Sequence, residues 1–418
     1  MCPMKSVKII GGGLTGILAA FEAHRLGARR ISIHERFDRL GGISLSDERN
    51  GLEIREGCIY FGGADDPLRR LLETQGQRFV EFENRFGSVS PGEDGLVYTE
   101  DFGGPALPAD SFQVTPPAGD SLADRIAAYP SEIAWPLMRY ARWHLGFDLE
   151  EAHGDAAIPM AINRVVPLGV DFAALAEAKH NDPLTNELLA IPRRQWGRTA
   201  NLVCSLPEGG FPAMLRNCEQ RLAALGVSIH PESLVPPRQA LAAMSDDEVL
   251  VWAGNPTPLF KAMGVPTPKL LPKSFATYTF AARWSGACPF YVQNFTAEGA
   301  CFRIYVYESA GQTLITAECV AEAGDADLRA EISRLLAGFE GELQLGQMLA
   351  TSIKPRWIYH SIDAMQRLTQ LRAALADRFG SAFVPAAWEP YAKAEKFALV
   401  NARLAAALGL ATEQVAAA

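Results

Sequence analysis

The chain has 418 residues, of which 48% are hydrophobic and 21% charged, and this balance excludes a mainly disordered, collagen-like or coiled-coil protein. At roughly 150 residues per domain, the length predicts about two to three domains. The 48 acidic and 39 basic residues give a formal charge of -9. A broad nucleic-acid-binding surface is therefore not expected, although a local arginine cluster can still hold a small anion.

The cysteines, the histidines and the apolar runs indicate a cytoplasmic protein. The 7 cysteines show no CxxC or paired spacing, which argues against a disulfide framework and for a reducing compartment. The 7 histidines show no HxH or HExxH spacing, so we expect no metal site. No apolar run reaches the ~18 residues of a membrane span, and the stretch 7–21 lacks a signal-peptide cleavage site. The oligomeric state is left open, with a homodimer as one option.

The first forty residues carry the sharpest motif. Residues 7–10 read as a buried strand, the sequence GGGLTG follows at 11–16, and residues 17–26 show the apolar spacing of a helix. A second strand is predicted at 30–34 and ends at Glu35. A strand, GxGxxG, a helix, a strand and an acid in this order are typical of a dinucleotide-binding, Rossmann-type domain.

Each position of the glycine motif has a physical role. Gly11 permits the tight turn, Gly13 lets the backbone approach a pyrophosphate, and Gly16 lets the helix pack closely on the strand. The amides of Leu14 and Thr15 open the helix, where free N–H groups and the positive end of the helix dipole favour phosphate. We therefore predict a cofactor pyrophosphate at this loop.

The residues after the second strand concern the identity of the dinucleotide. The carboxylate of Glu35 can accept both ribose hydroxyl protons of an adenosine and disfavours the 2′-phosphate of NADP. Two basic residues, Arg36 and Arg39, and then the paired Gly41 and Gly42 follow. This pattern resembles the amine-oxidase-like flavoproteins, which carry a basic stretch and a Gly-Gly turn beneath the pyrophosphate. The resemblance implies FAD, with the two glycine amides and one of the arginines at its phosphates.

Beyond the motif, the patterns predict an α/β protein whose Rossmann-type FAD-binding domain is discontinuous. It holds an inserted helical subdomain and an antiparallel-sheet substrate domain. A helix at 213–225 and strands at 227–229 and 248–252 return to the nucleotide-binding sheet, whereas residues 274–320 alternate like antiparallel strands. The expected division is a first FAD-binding part at 1–75, a mainly helical insert at 76–194, a second FAD-binding part at 195–265, the sheet domain at 266–375, and a C-terminal FAD-domain segment with a helix at 376–418.

Two later motifs resemble those of the UDP-galactopyranose mutases. The sequence QWGR stands at 195–198, and QNFT at 293–296 precedes an arginine strand. The resemblance implies that Arg198 and Arg303 bind the diphosphate of a nucleotide sugar, with Asn294 in the same site. Without the resemblance, Arg198 could equally form a salt bridge. Arg303 could instead pair with a buried carboxylate, because a charge in an apolar strand needs a partner.

The chain also departs from the mutase pattern. Ile59 stands where the family has a histidine beneath the flavin, and the segment 384–391 lacks the Gly-Gly-Arg of the family but keeps Tyr391. Tyr359 lies where the superfamily brings aromatic side chains to the substrate, so it could donate a hydrogen bond there or pack in the core. These departures affect the expected substrate more than the expected FAD.

Two enzymatic functions are therefore expected, and a third reading is a scaffold without activity. The first is a FAD-dependent enzyme similar to UDP-galactopyranose mutase, which acts on a nucleotide sugar or a similar polar small molecule through reduced flavin. The alternative is an amine-oxidase-like FAD oxidoreductase that takes a hydride from its substrate. The third is a flavoprotein that keeps the fold without catalysis.

Overall fold

The computed structural model describes residues 5–28, 30–42, 46–57, 60–192, 203–386 and 388–410, and within them all side chains except those of 355–357. Its helices are α1 Leu14–Arg25, α2 Pro67–Thr74, α3 Leu122–Ala127, α4 Ser131–Leu145, α5 Phe172–Asn181, α6 Pro183–Leu188, α7 Gly210–Ala224, α8 Pro237–Ala242, α9 Thr257–Met263, α10 Asp325–Leu336, α11 Ile362–Phe379 and α12 Lys393–Ala407, with short 3₁₀ turns at Gly154–Ala157 and Gly380–Ala382.

The strands alternate with these helices along the chain. They are β1 Ser6–Ile10, β2 Ile31–His34, β3 Asp47–Arg49, β4 Leu52–Ile54, β5 Phe61–Gly62, β6 Phe79–Glu83, β7 Arg85–Gly92, β8 Gly95–Glu100, β9 Ala106–Pro108, β10 Val166–Leu168, β11 Val203–Pro207, β12 Ser228–His230, β13 Glu248–Trp252, β14 Leu271–Trp284, β15 Phe290–Asn294, β16 Cys301–Ser309, β17 Gln312–Cys319, β18 Leu343–Tyr359 and β19 Phe383–Pro385.

A parallel sheet of Rossmann type forms the first layer, in the order β12-β2-β1-β13-β19. Strand β13 is apolar along nearly its whole length because helices cover both faces of such a sheet. The side chains of α1, α7 and α12 pack with the strands in one core. The predicted α/β fold with a discontinuous nucleotide-binding domain is confirmed, since the five strands come from three separate parts of the chain.

A seven-stranded sheet forms the second layer, in the order β18-β14-β17-β16-β15-β7-β8. Its neighbours are antiparallel except for the parallel pair β15 and β7. One face carries apolar residues such as Ile304 and Val306, which share a core with α10. The other face carries Arg303, Tyr305 and Tyr307, because alternate residues of a strand point to opposite sides. We call the second face the polar face.

Helices α3 to α6 form the expected helical subdomain, which has its own core and packs against the ends of β14, β16 and β18. The expected helical insert at 76–194 is wrong at its start, because β7 and β8 belong to the seven-stranded sheet. The Pro, Gly and Asp residues of this stretch resemble loop composition, but they lie at the ends and the turn of a hairpin. In the described part of the chain, no helix has the length and apolar character needed to cross a membrane.

Candidate functional site

The glycine motif forms the turn between β1 and α1, and two of its glycines are required by packing. Gly11 has φ +105°, and a Cβ atom there would lie 2.9 Å from the backbone nitrogen of Gly254 in the loop after β13. A Cβ atom on Gly16 would overlap the carbonyl oxygen of Gly11. These two positions therefore hold the turn and the helix close to the sheet, as the motif predicts.

Gly13 differs from these two glycines because none of the described residues excludes a Cβ atom there. It has φ -67° and ψ 177°, which any residue can adopt. A Cβ atom on Gly13 would have Gly42 Cα, at 3.9 Å, as its nearest neighbour. Gly13 is the N-cap and has no side chain to cap α1, and the first helical hydrogen bond runs from Ile17 N to Gly13 O at 3.0 Å. The space beside Gly13 is thus adjacent to the first amides of a helix, which have no partner within the helix itself.

The paired glycines dock directly on this loop. Gly41 N donates to Gly12 O at 2.8 Å, and Gly41 also pairs with Gly13 as an isolated bridge. Gly42 has φ +57°, and a Cβ atom there would lie 3.0 Å from Gly13 Cα. The two loops therefore line one cradle. Arg36 and Arg39 are exposed beside it.

The carboxylate of Glu35 is buried at the end of β2, with 6% of the residue exposed. Its Oε2 accepts a hydrogen bond from Gly12 N at 2.6 Å, and its Oε1 accepts one from Phe37 N at 3.0 Å. Because each carboxylate oxygen has two lone pairs, both oxygens can accept a further donor such as a ribose hydroxyl. The carboxylate also ties the glycine loop to the residues after β2, a structural role that the motif alone does not predict.

Two exposed apolar side chains flank this carboxylate. Phe37 is 51% exposed and Leu234 is 76% exposed. Hydrogen bonds from Ser233 N to Glu35 O at 2.7 Å and from Glu232 N to Phe37 O at 2.8 Å bring the two segments together. An aromatic base could pack between such side chains.

A histidine pair lies beneath the same edge of the parallel sheet. The rings of His34 and His230 are stacked with centroids 4.6 Å apart, and His34 Nδ1 lies 3.0 Å from Ser233 Oγ. Burial, and then the charges of His230 and Lys8, lower the pKa of His34 to about 4. His34 is therefore neutral at physiological pH.

Arg303 lies in a row across three strands of the polar face, between Gln293 on β15 and Glu318 on β17. Its Nε donates to Gln293 Oε1 at 3.1 Å, its Nη1 to Glu318 Oε1 at 3.5 Å, and its Nη2 to Pro159 O at 3.3 Å. Arg303 is 8% exposed and Glu318 is fully buried. The buried carboxylate that the sequence left open as a partner is thus present, and a diphosphate at Arg303 remains a proposal.

Asn294 is fully buried and its amide group is used within the protein. Its Nδ2 donates to Cys301 O at 2.7 Å, and its Oδ1 accepts from Thr296 N at 3.0 Å and Thr296 Oγ1 at 2.8 Å. These bonds close the connection between β15 and β16. The arrangement gives Asn294 a structural role, while the predicted role at a substrate stays untested.

Tyr359 is fully buried, and its hydroxyl forms a hydrogen bond with His144 Nε2 at 2.9 Å. On the same helix as His144, Tyr140 accepts a hydrogen bond from Gln293 Nε2 at 3.0 Å. Burial, followed by the charge of Arg303, lowers the pKa of His144 well below its usual value. A chain of buried groups therefore joins Tyr359 to Arg303 and connects the helical subdomain to the sheet.

Tyr391 lies at the junction between the C-terminal segment and β18. Its hydroxyl accepts a hydrogen bond from His360 N at 3.1 Å, and the two rings are 5.3 Å apart. Burial raises the pKa of Tyr391 to about 12, so the phenol stays protonated. The structure therefore places Tyr391 at His360, the residue that follows Tyr359 in the chain.

Two predicted elements, Arg198 within the QWGR motif and Ile59, lie outside the described residues. The sequence reasoning also missed Glu53 and Arg55, at the end of the β3–β4 hairpin, which pack against Tyr307 of the polar face and form a buried salt bridge at 2.8 Å. The alternation of apolar and charged residues at 52–55 was the available signal, since it indicates a strand with one polar side.

The described residues contain no group of three or more His, Cys, Asp or Glu side chains that could hold a metal.

Comparison with known proteins agrees with the Rossmann-type domain. Residues 9–74 match the family model of the NAD(P)-binding Rossmann-like domain. A coproporphyrinogen III oxidase from Propionibacterium freudenreichii subsp. freudenreichii is 34% identical over 68 residues, which are 16% of this chain and 13% of that protein. The alignment therefore covers a small part of both chains.

Solved structures with nearly the same extent share the whole architecture. A reduced UDP-galactopyranose mutase has a TM-score of 0.67 at 15% identity and covers 99% of this chain and 97% of its own. A proposed protoporphyrinogen oxidase from Exiguobacterium sp. 255-15 has a TM-score of 0.62 at 14% identity, with 97% and 98% covered. A cyclohexylamine oxidase from Brevibacterium oxydans IH-35A has a TM-score of 0.56 at 13% identity, with 97% and 99% covered. This chain has the fold of these proteins.

Proposed function

We propose that the protein is a FAD-dependent enzyme that acts on a nucleotide sugar or a similar polar substrate through reduced flavin. The observation that carries the cofactor is the cradle at Gly13, where the described residues leave room for a Cβ atom and the chain has a glycine. Space at that position serves a ligand, and the adjacent helix amides favour a phosphate.

The residues around the cradle fit FAD. The amides of Leu14 and Thr15 would hold the pyrophosphate, with Gly41 and Gly42 on the opposite side and Arg36 or Arg39 supplying charge. The carboxylate of Glu35, which has lone pairs left, would accept the ribose hydroxyls, and Phe37 with Leu234 would enclose the adenine. When bound and reduced, the cofactor would supply the reactive flavin ring, and the protein would supply its position and the charge around it.

The polar face would hold the substrate. Arg198 and Arg303 would bind the diphosphate through charge-assisted hydrogen bonds, and Gln293 and Glu318 would fix the orientation of the Arg303 guanidinium. Tyr359 and Tyr391 stay protonated at neutral pH because burial raises the pKa of each phenol. They would therefore act as hydrogen-bond donors or as packing side chains and not as bases.

An amine-oxidase-like oxidoreductase is the second candidate, and one observation favours it. Glu318 already lies opposite Arg303, so the need of this arginine for a counterion is met without a diphosphate. In this alternative the Arg303–Glu318 pair is structural and the substrate is not a nucleotide.

Experiments on purified protein with added FAD test both the proposed cofactor and the proposed diphosphate site. We expect a yellow, non-covalent complex, and a rise of its melting temperature with UDP that Arg198→Ala and Arg303→Lys each reduce. Arg329→Ala is the control, since Arg329 is a surface residue that pairs with Asp325. A protein that cannot take up FAD would refute the proposed cofactor. A yellow protein whose melting temperature does not rise with millimolar UDP would favour the oxidoreductase.

A further inference from the structure

An open cleft of about 650 Å³ lies between the helical subdomain and the end of the β7–β8 hairpin. Its lining includes Phe102 after β8, Arg164 before β10, Lys179 and His180 on α5, and Ile191 after α6. Clefts of about 300–1,000 Å³ are the usual size of small-molecule sites. None of the described residues that the proposed function uses lines this cleft, so a ligand here would occupy a site of its own.

Two cationic side chains of the cleft converge on one backbone oxygen. Lys179 Nζ donates to Asn186 O at 3.2 Å, and Arg164 Nη2 donates to the same oxygen at 3.0 Å. Lys179 Nζ also donates to Leu189 O. The two cationic groups therefore lie within about 6 Å of each other, which is close enough for one phosphate group to contact both.

The C-terminal end of α6 explains only part of this arrangement. Asn186 O and Leu189 O belong to the last turn and the cap of that helix, where free carbonyl groups and the negative end of the helix dipole attract cations. Lys179 alone reaches both oxygens, so the helix end does not require Arg164. An ammonium has three N–H donors and a guanidinium has five. One donor of Lys179 and four of Arg164 thus have no acceptor in the described part of the chain.

The cleft has an excess of positive charge in a protein whose formal charge is -9. Arg164 and Lys179 form no salt bridge with the described carboxylates, and Asp101 is the one acidic residue among the described lining residues. Burial, followed by the charge of Arg164, lowers the pKa of Lys179 to about 8, as expected for an ammonium beside a second cation. Arg164 is exposed and Lys179 is half-buried, so an anion can reach both and would balance the excess.

Apolar side chains complete the lining of the cleft. Phe102 packs with Ala106, Val166 and Ala190 in a small core that fixes the position of its ring, and Ile191 lies in the same lining. An aromatic ring of a ligand can pack against Phe102, whereas free phosphate would leave this surface in water. The lining therefore suits a molecule that has an anionic end and a planar, mostly apolar body.

We propose that the cleft binds a phosphorylated small molecule with a planar ring, with the phosphate at Arg164 and Lys179 and the ring beside Phe102. A phosphate monoester carries about -1.5 to -2 charges and three strong acceptor oxygens, which matches two cations with several spare donors better than a carboxylate does. This ligand site goes beyond the proposed function.

Two ligands that differ only in a phosphate group test the site. Pyridoxamine 5′-phosphate and pyridoxamine have the same planar ring, and calorimetry on the FAD-loaded protein gives the dissociation constant of each. We expect the phosphorylated compound to bind about 10- to 100-fold more tightly, the ratio that one charge-assisted hydrogen bond supplies. Equal affinities in the wild-type protein would overturn the inference. Inorganic phosphate should bind more weakly than pyridoxamine 5′-phosphate, and equal binding of these two would show that the ring is not recognised.

Variants assign the preference to the two cations. Arg164→Gln and Lys179→Gln should each lower the ratio of affinities to about 1. Lys273→Gln is the matched control, because Lys273 is also a half-buried lysine whose pKa is lowered by burial but does not line the cleft. A ratio that survives in Arg164→Gln, or one that is lost in Arg303→Lys instead, would overturn the assignment to this cleft.

The outcomes separate this inference from the proposed function. A protein that binds FAD and UDP but does not prefer pyridoxamine 5′-phosphate would refute only the cleft site. A protein that shows the preference but takes up neither FAD nor UDP would refute only the proposed function. The melting temperature of each variant without ligand shows whether it has folded, and Arg164→Gln, at an exposed position, remains informative if Lys179→Gln does not fold.

Discussion

Replacing Gly13 and Gly16 by alanine should separate cofactor binding from folding. At Gly13 the backbone angles suit alanine, and among the described residues the nearest neighbour of the added Cβ atom is Gly42 Cα at 3.9 Å. Loss of backbone freedom in the unfolded chain stabilises the variant by about 0.4–1 kcal/mol. Alanine is a poorer N-cap than glycine by a similar amount, so the free energy of unfolding without cofactor should change by less than about 1 kcal/mol.

The same methyl group occupies the space where a pyrophosphate would approach the first amides of α1. Two charge-assisted hydrogen bonds lost there correspond to about 3–6 kcal/mol, which is at least a 100-fold loss of FAD affinity. Gly13→Val should bind still less. The measurements are urea unfolding of the cofactor-free protein and the flavin absorbance that remains after gel filtration.

Gly16→Ala is the contrasting variant. Its Cβ atom would overlap the backbone oxygen of Gly11, and a backbone neighbour can move only with the turn. Overpacking of this kind costs about 1–3 kcal/mol or more, so Gly16→Ala should lose stability even without FAD. The reasoning is refuted if Gly13→Ala retains FAD at wild-type affinity, or if both variants lose the same stability in the absence of cofactor.

Three further predictions concern Glu35, the Arg303–Glu318 pair and His34. Glu35→Ala should weaken FAD roughly 10- to 100-fold in a binding titration and also lower the free energy of unfolding by about 1–3 kcal/mol, since two amides lose their acceptor. Glu35→Gln, which keeps one acceptor oxygen, should lose less of each, and equal losses would contradict this. Arg303→Met or Glu318→Leu alone should lower the free energy of unfolding, measured with urea, by about 3–5 kcal/mol, whereas the double variant should lower it by less than either. If the losses of the two single variants simply add in the double variant, the pair is not coupled. The folded state keeps His34 neutral down to about pH 4 while the unfolded chain binds a proton near 6.5, so stability should fall as the pH drops from 6.5 to about 4. The loss of stability with falling pH should be shallower in His34→Gln. In the wild-type protein its slope should stay below the ~1.4 kcal/mol per pH unit of one fully coupled proton, because the ring is partly solvated. Identical pH profiles for the two proteins would exclude His34 as the source of the pH dependence.

The local part of this architecture could be predicted from the sequence, and the part that depends on cross-strand pairing could not. The turn at 11–16 and the position of Glu35 follow from spacing along a short stretch, because glycine positions and strand ends are local properties. The pairing of Arg303 with Glu318 depends on the register of β16 and β17, which the sequence does not specify. The strand β7 resembled a loop in composition, and its parallel pairing with β15, about 200 residues further along the chain, joins the β7–β8 hairpin to the large sheet. Asn294 matched a motif, yet its side chain closes a turn.

The three-part origin of the parallel sheet has a consequence for how the chain folds. Strand β1 lies between β2 and β13, and β13 in turn pairs with β19, so the sheet joins residues 6–34, 228–252 and 383–385. The matched segment 9–74 contributes only two of these five strands. Two strands with unpaired edges and an incomplete hydrophobic core are not stable alone. Pairings between such distant segments make folding slow and leave strand edges exposed until the last segment docks. Deletion of β19 should therefore produce aggregation rather than a shorter, working nucleotide-binding domain.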